Sequence, residues 1–241
     1  MKFEKKMEYI MLTVKTAGIL GGGVIGGAWA ARMVLNGIDV IIFDPDPDTE
    51  GKVTAILKNA VRAYHKMTLA PLTNRGTIHY AKSVEEMAKK ADFIQENLPE
   101  REDLKRKILK LASEHARDDV IIASSTSGLL PSKLQTDMHL PERFIVGHPF
   151  NPVYLMPLVE ICGGKKTSAD TKKRVHSFYK SIGMKPLLLQ KEIDGFIADR
   201  MMEALWREVL WLIHDDIATV SEIDDALRYG RACAGPLWGH F

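Results

Sequence analysis

The sequence is poor in cysteine, in net charge and in long apolar runs, and each shortage excludes a class of protein. Its two cysteines, Cys162 and Cys233, lie far apart without a CxxC spacing, so neither a disulfide framework nor a metal site is predicted. Lysine and arginine number 33 against 31 aspartates and glutamates, and this interleaved balance favours neither nucleic acid nor an anionic membrane as a partner. No apolar run is long enough to span a bilayer, and residues 1–16 lack the pattern of a secretion signal. We therefore expect a cytoplasmic protein without a metal ion.

Short apolar runs alternate with longer stretches of helical period from residue 16 to about residue 189. This alternation is typical of βαβ units, in which helices cover both faces of a mostly parallel sheet. Strands are predicted over residues 17–20, 39–43, 78–80, 93–95, 120–123, 144–147, 159–162 and 186–189, and helices over residues 25–35, 49–65, 84–90, 104–114 and 169–181. The sequence therefore predicts an α/β fold with a Rossmann-type, doubly wound sheet.

The alternation of strands and helices ends near residue 191. Residues 196–213 carry an apolar stripe at helical spacing, which predicts one long helix. We interpret Ser221-Glu222-Ile223-Asp224 as a capping box that begins another helix, with Gly230 as its stop. Two domains are therefore expected, an α/β domain over residues 1–190 and a helical domain over residues 191–241.

A glycine-rich loop follows the first predicted strand, where Gly21, Gly23 and Gly26 have the GxGxxG spacing. In such a loop the first glycine permits a tight turn, the second lets a pyrophosphate approach the backbone, and the third lets the helix lie close to the sheet. Asp44 ends the second strand, 18 residues past Gly26, where a carboxylate binds ribose hydroxyls and repels the extra phosphate of NADP. The loop, including Val24 and Ile25, predicts an NAD site. A merely flexible loop is disfavoured by the flanking strand and helix.

Polar residues follow two later strands at the edge where open α/β sheets bind their ligands. Residues 124–128 form a hydroxyl-rich loop after one strand, and His148 ends the next. A dehydrogenase without a metal needs a base that titrates near neutrality, for which histidine is suited. Glu160 lies in an otherwise apolar strand and needs a partner. We expect Glu160 to orient His148, while Ser127 hydrogen-bonds the substrate hydroxyl.

Two other interpretations of these residues stay open. His148 could cap a strand while Glu160 pairs with a lysine and the serines form a polar turn. A hydrolase triad is disfavoured, because the serine lacks a G-x-S-x-G elbow and hydrolysis needs no dinucleotide.

Together these motifs resemble the 3-hydroxyacyl-CoA dehydrogenase superfamily, from about residue 15 to residue 229. The resemblance rests on the glycine loop, on Glu96-Asn97, on the serine loop, and on His148-Pro149-Phe150-Asn151-Pro152 through Glu160. It implies that His148 is the catalytic base, Glu160 its partner and Ser127 a substrate-binding serine. The remaining site assignments are Asn151 beside the substrate, and Glu96, Arg101 and Ser125 in the cofactor site.

One departure from the superfamily concerns the substrate. Its acyl-CoA members carry asparagine in a Gly-Phe-x-x-Asn-Arg stretch where this chain has Asp199, which makes the chain more similar to the carnitine-oxidising members. Carnitine carries a trimethylammonium group, and aromatic faces and carboxylates hold such a cation. The candidates for these contacts are Phe150, Tyr154, Trp206, Asp199 and Glu203. Alternatively, Glu203 pairs with Arg207 and Trp206 belongs to a core.

We therefore expect NAD-dependent oxidation of a 3-hydroxy acid, preferably of L-carnitine to 3-dehydrocarnitine. The alternative substrates are a 3-hydroxyacyl-CoA, such as 3-hydroxybutyryl-CoA, and a gulonate-type acid. The superfamily's helical domain normally continues through further helices and forms a dimer, so the resemblance implies a homodimer but also a truncated helical domain in this chain. A truncated NAD-binding module with little activity is the second alternative.

Overall fold

An eight-stranded sheet dominates the computed structural model, which describes residues 13–67 and 75–231. In chain order the strands are β1 (Thr16–Leu20), β2 (Asp39–Phe43), β3 (Ile78–Tyr80), β4 (Phe93–Glu96), β5 (Ile121–Ser124), β6 (Phe144–Pro149), β7 (Leu158–Cys162) and β8 (Lys185–Leu188). The helices are α1 (Val24–Leu35), α2 (Thr49–Lys66), α3 (Val84–Lys90), α4 (Glu102–His115), α5 (Pro131–Leu134), α6 (Ala169–Ser181), α7 (Ala198–His214) and α8 (Val220–Ala226). A 3-10 turn over Pro141–Arg143 and a π-helical turn over Leu227–Arg231 complete the described elements.

The strand order across the sheet is β3-β2-β1-β4-β5-β6-β7-β8. Strands β1 to β6 are parallel, β7 is antiparallel to β6, and β8 is parallel to β7. The first six strands therefore have the doubly wound order of a dinucleotide-binding sheet, which reverses direction between β1 and β4. The predicted Rossmann-type α/β fold is confirmed.

Successive residues of β4 point to opposite faces of the sheet, because side chains alternate along a strand. Phe93 packs in one apolar core with α1 and α6, whereas Ile94 packs in the other with α3 and α4. Gln95 and Glu96 continue this alternation, and both are wholly buried. Two polar side chains thus enter the two cores at the carboxyl end of β4.

The helices after residue 196 differ in two details from the sequence prediction. The capping box of α8 uses Thr219 and Glu222, not Ser221 and Asp224, because Thr219-Val220-Ser221-Glu222 has the T-x-x-E spacing that lets each side chain bond the other's backbone. Gly230 does not stop a helix but lies within the π-helical turn.

The predicted long helix also begins later than expected. Helix α7 starts at Ala198, and Phe196 is instead a buried residue with φ +49°. The chain divides after Phe196 into two compact units, Met1–Phe196 and Ile197–Phe241. Within the described residues no helix has the length and apolarity needed to cross a membrane. Cys233 lies outside those residues.

Candidate active site

The glycine loop between β1 and α1 forms one wall of a cleft. Gly21 has φ +86°, a conformation that favours glycine, and a Cβ atom on Gly26 would lie 1.8 Å from the Gly21 carbonyl oxygen. A Cβ atom on Gly23 would meet nothing within 4 Å, so this residue faces open space. Helix α1 begins at Val24 without an acidic residue in its first turn. Its amino end therefore offers backbone amides and a positive dipole to an anion.

The cleft has a volume of about 530 Å³ and is lined by both polar and apolar groups. Asp44 lies on it directly after β2, where its carboxylate accepts hydrogen bonds from the Gly22 amide at 2.6 Å and the Asp46 amide at 2.9 Å. The apolar lining comes from Val24, Ile25, Phe43, Pro45, Leu98, Pro99, Leu104 and Ile108. A glycine-lined helix end, an apolar wall and one carboxylate fit the pyrophosphate, adenine and ribose of NAD.

A buried ionic cluster lies beside this cleft, at the carboxyl end of β4. The Glu96 carboxylate accepts hydrogen bonds from Lys105 Nζ at 2.7 Å, from the Leu98 amide at 2.5 Å and from the Ser124 hydroxyl. Lys105 also donates to the Leu98 carbonyl at 2.8 Å, and its side chain is 1% exposed. Glu96 was expected in the cofactor site, and the structure holds its carboxylate inside the protein by these contacts.

The serine loop after β5 carries Ser127, which is exposed. Glu100 organises the loop, because its carboxylate accepts hydrogen bonds from the Thr126 hydroxyl and, at 3.2 Å, from the Gly128 amide. Ser125 points inward, where its hydroxyl bonds the side chains of Trp29, Gln95 and Asn97. Arg101 is exposed at the start of α4 and pairs with Asp103 at 2.7 Å.

His148 and Glu160 face each other across the antiparallel pair β6–β7. His148 Nδ1 lies 3.0 Å from Glu160 Oε2, and both side chains are buried. The rings of Phe150 and Phe196 flank the imidazole, with centroids 5.0 Å and 5.4 Å from it. A carboxylate in this position accepts a hydrogen bond from Nδ1–H, which fixes the ring orientation and the tautomer. The structure thus brings together the two residues that the sequence predicted as base and partner.

The turn between β6 and β7 is anchored to α1. Buried Arg32 donates to the Val153 carbonyl at 2.7 Å, and burial lowers the pKa of its guanidinium. Asn151 is exposed at the start of the turn, where the Asn151–Pro152 peptide bond is cis. Tyr154 is partly buried and packs against the apolar residues of α1 and α2.

Three candidate substrate residues lie in the second unit, on α7. Asp199 is partly exposed, and Glu203 and Trp206 are exposed. Asp199 and Glu203 lie four residues apart and therefore share a helix face. Their contact with substrate stays a prediction.

Sequence reasoning missed four residues that support the loops of the candidate site, namely Gln95, Glu100, Lys105 and Tyr179. Only Lys105 left a signal. It stands four and seven residues before Leu109 and Ala112, on the buried stripe of α4, and a lysine on an apolar stripe indicates a buried acidic partner. The other three depend on residues far away in the sequence.

Comparison with known proteins identifies the family of this chain. Residues 16–193 match the family profile described as 3-hydroxyacyl-CoA dehydrogenase, NAD binding domain, and residues 195–239 match the C-terminal domain of the same family. The chain is 52% identical to L-carnitine dehydrogenase/betainyl-CoA thioesterase of Rhizobium meliloti over 91% of its own length and 44% of that protein. It is 51% identical to L-carnitine dehydrogenase of Mesorhizobium japonicum over 91% of its own length and 61% of that protein.

Among solved structures, (S)-3-hydroxybutyryl-CoA dehydrogenase from Ralstonia eutropha superposes with a TM-score of 0.80 at 30% identity, covering 91% of this chain and 78% of that one. This chain covers less than two thirds of the length of the Rhizobium meliloti and Mesorhizobium japonicum proteins. Profile, relatives and fold agree, and NAD is the cofactor that they indicate. The chain belongs to the 3-hydroxyacyl-CoA dehydrogenase family.

Proposed function

We propose that this protein oxidises the 3-hydroxyl group of L-carnitine to a ketone, with NAD as the electron acceptor. The buried hydrogen bond between His148 and Glu160 carries the proposal, because it makes an oriented acid–base group. His148 lies near the carboxyl end of β6, which is parallel to the strands that precede the glycine loop and Asp44. The similarity to proteins named L-carnitine dehydrogenase supports the choice of substrate.

The proposed chemistry needs a proton acceptor at the substrate hydroxyl. When bound, NAD accepts the hydride from the carbinol carbon. His148 takes the hydroxyl proton through Nε2, since the carboxylate of Glu160 holds Nδ1. Glu160 then stabilises the positive charge that the imidazole gains. Ser127, which is exposed on the neighbouring loop, hydrogen-bonds the substrate oxygen and orients it.

The trimethylammonium group of carnitine gives the specificity in this proposal. Such a cation binds aromatic faces and carboxylates, since it has no N–H group to donate. Phe150 is an aromatic candidate in contact with the proposed base, since its ring centroid lies 5.0 Å from that of His148. Tyr154, Trp206, Asp199 and Glu203 complete the set of proposed contacts, with Asn151 beside the reacting end of the substrate.

A substrate panel tests the reaction directly. NAD reduction is followed with L-carnitine, 3-hydroxybutyryl-CoA and gulonate on one preparation, together with a fluorescence titration of NADH. We expect turnover of carnitine above the other two. Turnover of another substrate without carnitine would refute the assignment, and NADH binding without any turnover would support a binding module instead.

The variant His148→Gln separates chemistry from cofactor binding. We expect it to bind NADH with unchanged affinity but to lose turnover by at least 100-fold, because general-base catalysis contributes about 10²–10⁴-fold. His139→Gln, at an exposed histidine, is the matched control. Equal turnover in both variants would remove His148 from its proposed role.

The proposed enzyme acts on a small-molecule substrate in the cytoplasm and forms a homodimer. Size-exclusion chromatography with light scattering tests the oligomeric state. A monomer at the concentrations of the activity assay would contradict the proposed homodimer.

A further inference from the structure

A network of buried hydrogen bonds runs along one face of the sheet, from Tyr179 on α6 through Gln95 to Ser125. Its centre is Gln95, which is 0% exposed in β4 between β1 and β5. A buried amide is costly unless its polar atoms are bonded. Here Oε1 accepts a hydrogen bond from the Tyr179 hydroxyl at 2.7 Å, while Nε2 donates to Ser125 Oγ at 2.8 Å and, more weakly, to the Gly147 carbonyl at 3.4 Å.

Tyr179 supplies a fixed donor at one end of this network. Burial raises the pKa of its hydroxyl far above the usual value, so the group stays protonated. Its ring stacks on Trp29, with centroids 5.3 Å apart. The hydroxyl therefore has one orientation, and Gln95 must present Oε1 to it and Nε2 to Ser125.

Ser125 is the junction at the other end. Its hydroxyl oxygen accepts from Trp29 Nε1 at 3.0 Å and from Gln95 Nε2, and its proton goes to Asn97 Oδ1 at 2.7 Å. A hydroxyl has one donor and two acceptor positions. Protein groups therefore use the full hydrogen-bonding capacity of the Ser125 side chain, which makes it a connector rather than a cofactor ligand.

The hydrogen-bond network contacts the cofactor cleft at one end and the strand of the proposed base at the other. Asn97 lines the cofactor cleft. Its backbone carbonyl oxygen lies 2.8 Å from the position that a Cβ atom on Gly21 would occupy. Tyr179 packs under β6, since a Cβ atom on Gly147 would lie 2.1 Å from its hydroxyl oxygen. Gly147 directly precedes His148. A change at either end is therefore transmitted to backbone that holds either the glycine loop or the proposed base.

We propose that Gln95 is a positioning residue, which through Tyr179 and Ser125 couples the NAD loop to the strand that carries His148. The link to His148 rests on the proposed function, whereas the link to the NAD loop does not. Tyr179 then affects NAD binding although it lies on α6 and does not line the cleft.

A double-mutant cycle on NADH affinity tests the coupling without any substrate. We expect Ser125→Ala to raise the dissociation constant about tenfold, because it removes the partner of Asn97, and Tyr179→Phe to raise it several-fold. In the double variant we expect little more than the larger single effect, since both substitutions break the same network. Ser113→Ala, which deletes another buried hydroxyl with two backbone partners, is the control and should leave the affinity unchanged.

An unchanged dissociation constant in Tyr179→Phe would overturn the proposal, as would single effects that multiply in the double variant. Tyr179→Phe decides the question even where Ser125→Ala does not fold, because it deletes one oxygen atom and keeps the ring. Since the titration contains no carnitine, failure of the carnitine assay leaves its result intact. A carnitine-active enzyme with an uncoupled cycle would refute only the positioning role.

Discussion

Gln95 and Glu96 are neighbours in β4, yet they form the centres of two buried polar clusters on opposite faces of the sheet. The Gln95 cluster is neutral and joins residues up to 96 positions apart. The Glu96 cluster is ionic and includes Lys105, nine positions along the chain. The end of one strand thus carries a neutral cluster on one face of the sheet and an ionic cluster on the other.

The two clusters show which hydrogen bonds a charged group and a neutral polar group each need when they are buried. A buried ion pair is tolerated only when further hydrogen bonds satisfy both partners. Lys105 has the Leu98 carbonyl and Glu96 has the Leu98 amide and the Ser124 hydroxyl, so both partners meet that condition. The neutral cluster demands less, because an amide or hydroxyl loses less hydration than a charge does. We therefore expect disruption of the ionic cluster to lower the free energy of unfolding more than disruption of the neutral cluster.

The largest effect is expected from Lys105→Met. The variant leaves the Glu96 carboxylate buried without its counter-charge, which costs about 3–5 kcal/mol of the free energy of unfolding. Urea denaturation measures the loss, and Lys107→Met on the exposed side of α4 is the matched control. Equal losses in the two variants would show that the Glu96 cluster does not behave as a buried ion pair.

A smaller loss of stability is expected from Tyr179→Phe. The substitution leaves Gln95 Oε1 without its donor, and an unsatisfied buried acceptor costs about 1–3 kcal/mol. The same urea titration on Tyr80→Phe, at a more exposed tyrosine, gives the reference. A loss as large as that in Lys105→Met would remove the distinction between the neutral and the ionic cluster.

Alkaline pH should reveal the neutral cluster separately. The pKa of Tyr179 is raised by burial in the folded protein, whereas an unfolded tyrosine ionises near pH 10. Above that pH the unfolded chain loses a proton that the folded protein keeps, so stability falls as the pH rises. Wild type should therefore lose about 1.4 kcal/mol more than Tyr179→Phe by pH 11. Parallel pH profiles of unfolding would contradict this.

The smallest effect is expected at an exposed ion pair. Lys90 and Glu86 lie 2.9 Å apart on α3 at i,i+4 spacing, but water and salt screen such a pair. The free energy of unfolding of Lys90→Ala should equal that of the wild type within the scatter of repeated measurements, at low and at high salt. A clear loss that salt abolishes would mean that exposure does not separate this pair from the Glu96 cluster.

The sequence predicted the features that local patterns encode. Alternating apolar runs predicted the doubly wound sheet, which is confirmed, and glycine spacing with Asp44 predicted the cofactor that the family shares. The prediction of the capping box was wrong in its residues, because it began the box at Ser221 instead of Thr219. Only Thr219 has a glutamate three positions later.

The supporting clusters could not be predicted, because their partners have no local pattern. Gln95 meets Tyr179 across 84 positions, and nothing in the short stretch Phe93–Glu96 indicates which distant residue its amide will bond. Glu96 illustrates the same limit. The position of Lys105 on the apolar stripe of α4 indicates a buried acidic partner, but only the structure identifies that partner as Glu96.

The reversed direction of β7 also has a consequence for redesign. His148 and Glu160 meet as a cross-strand pair of a hairpin, so strand register holds them together rather than the connection between the strands. We therefore expect the hairpin stem to keep the proposed acid–base pair together when the tip, residues 150–157, is substituted. The tip is therefore the segment to diversify in a library that seeks new alcohols for the same chemistry.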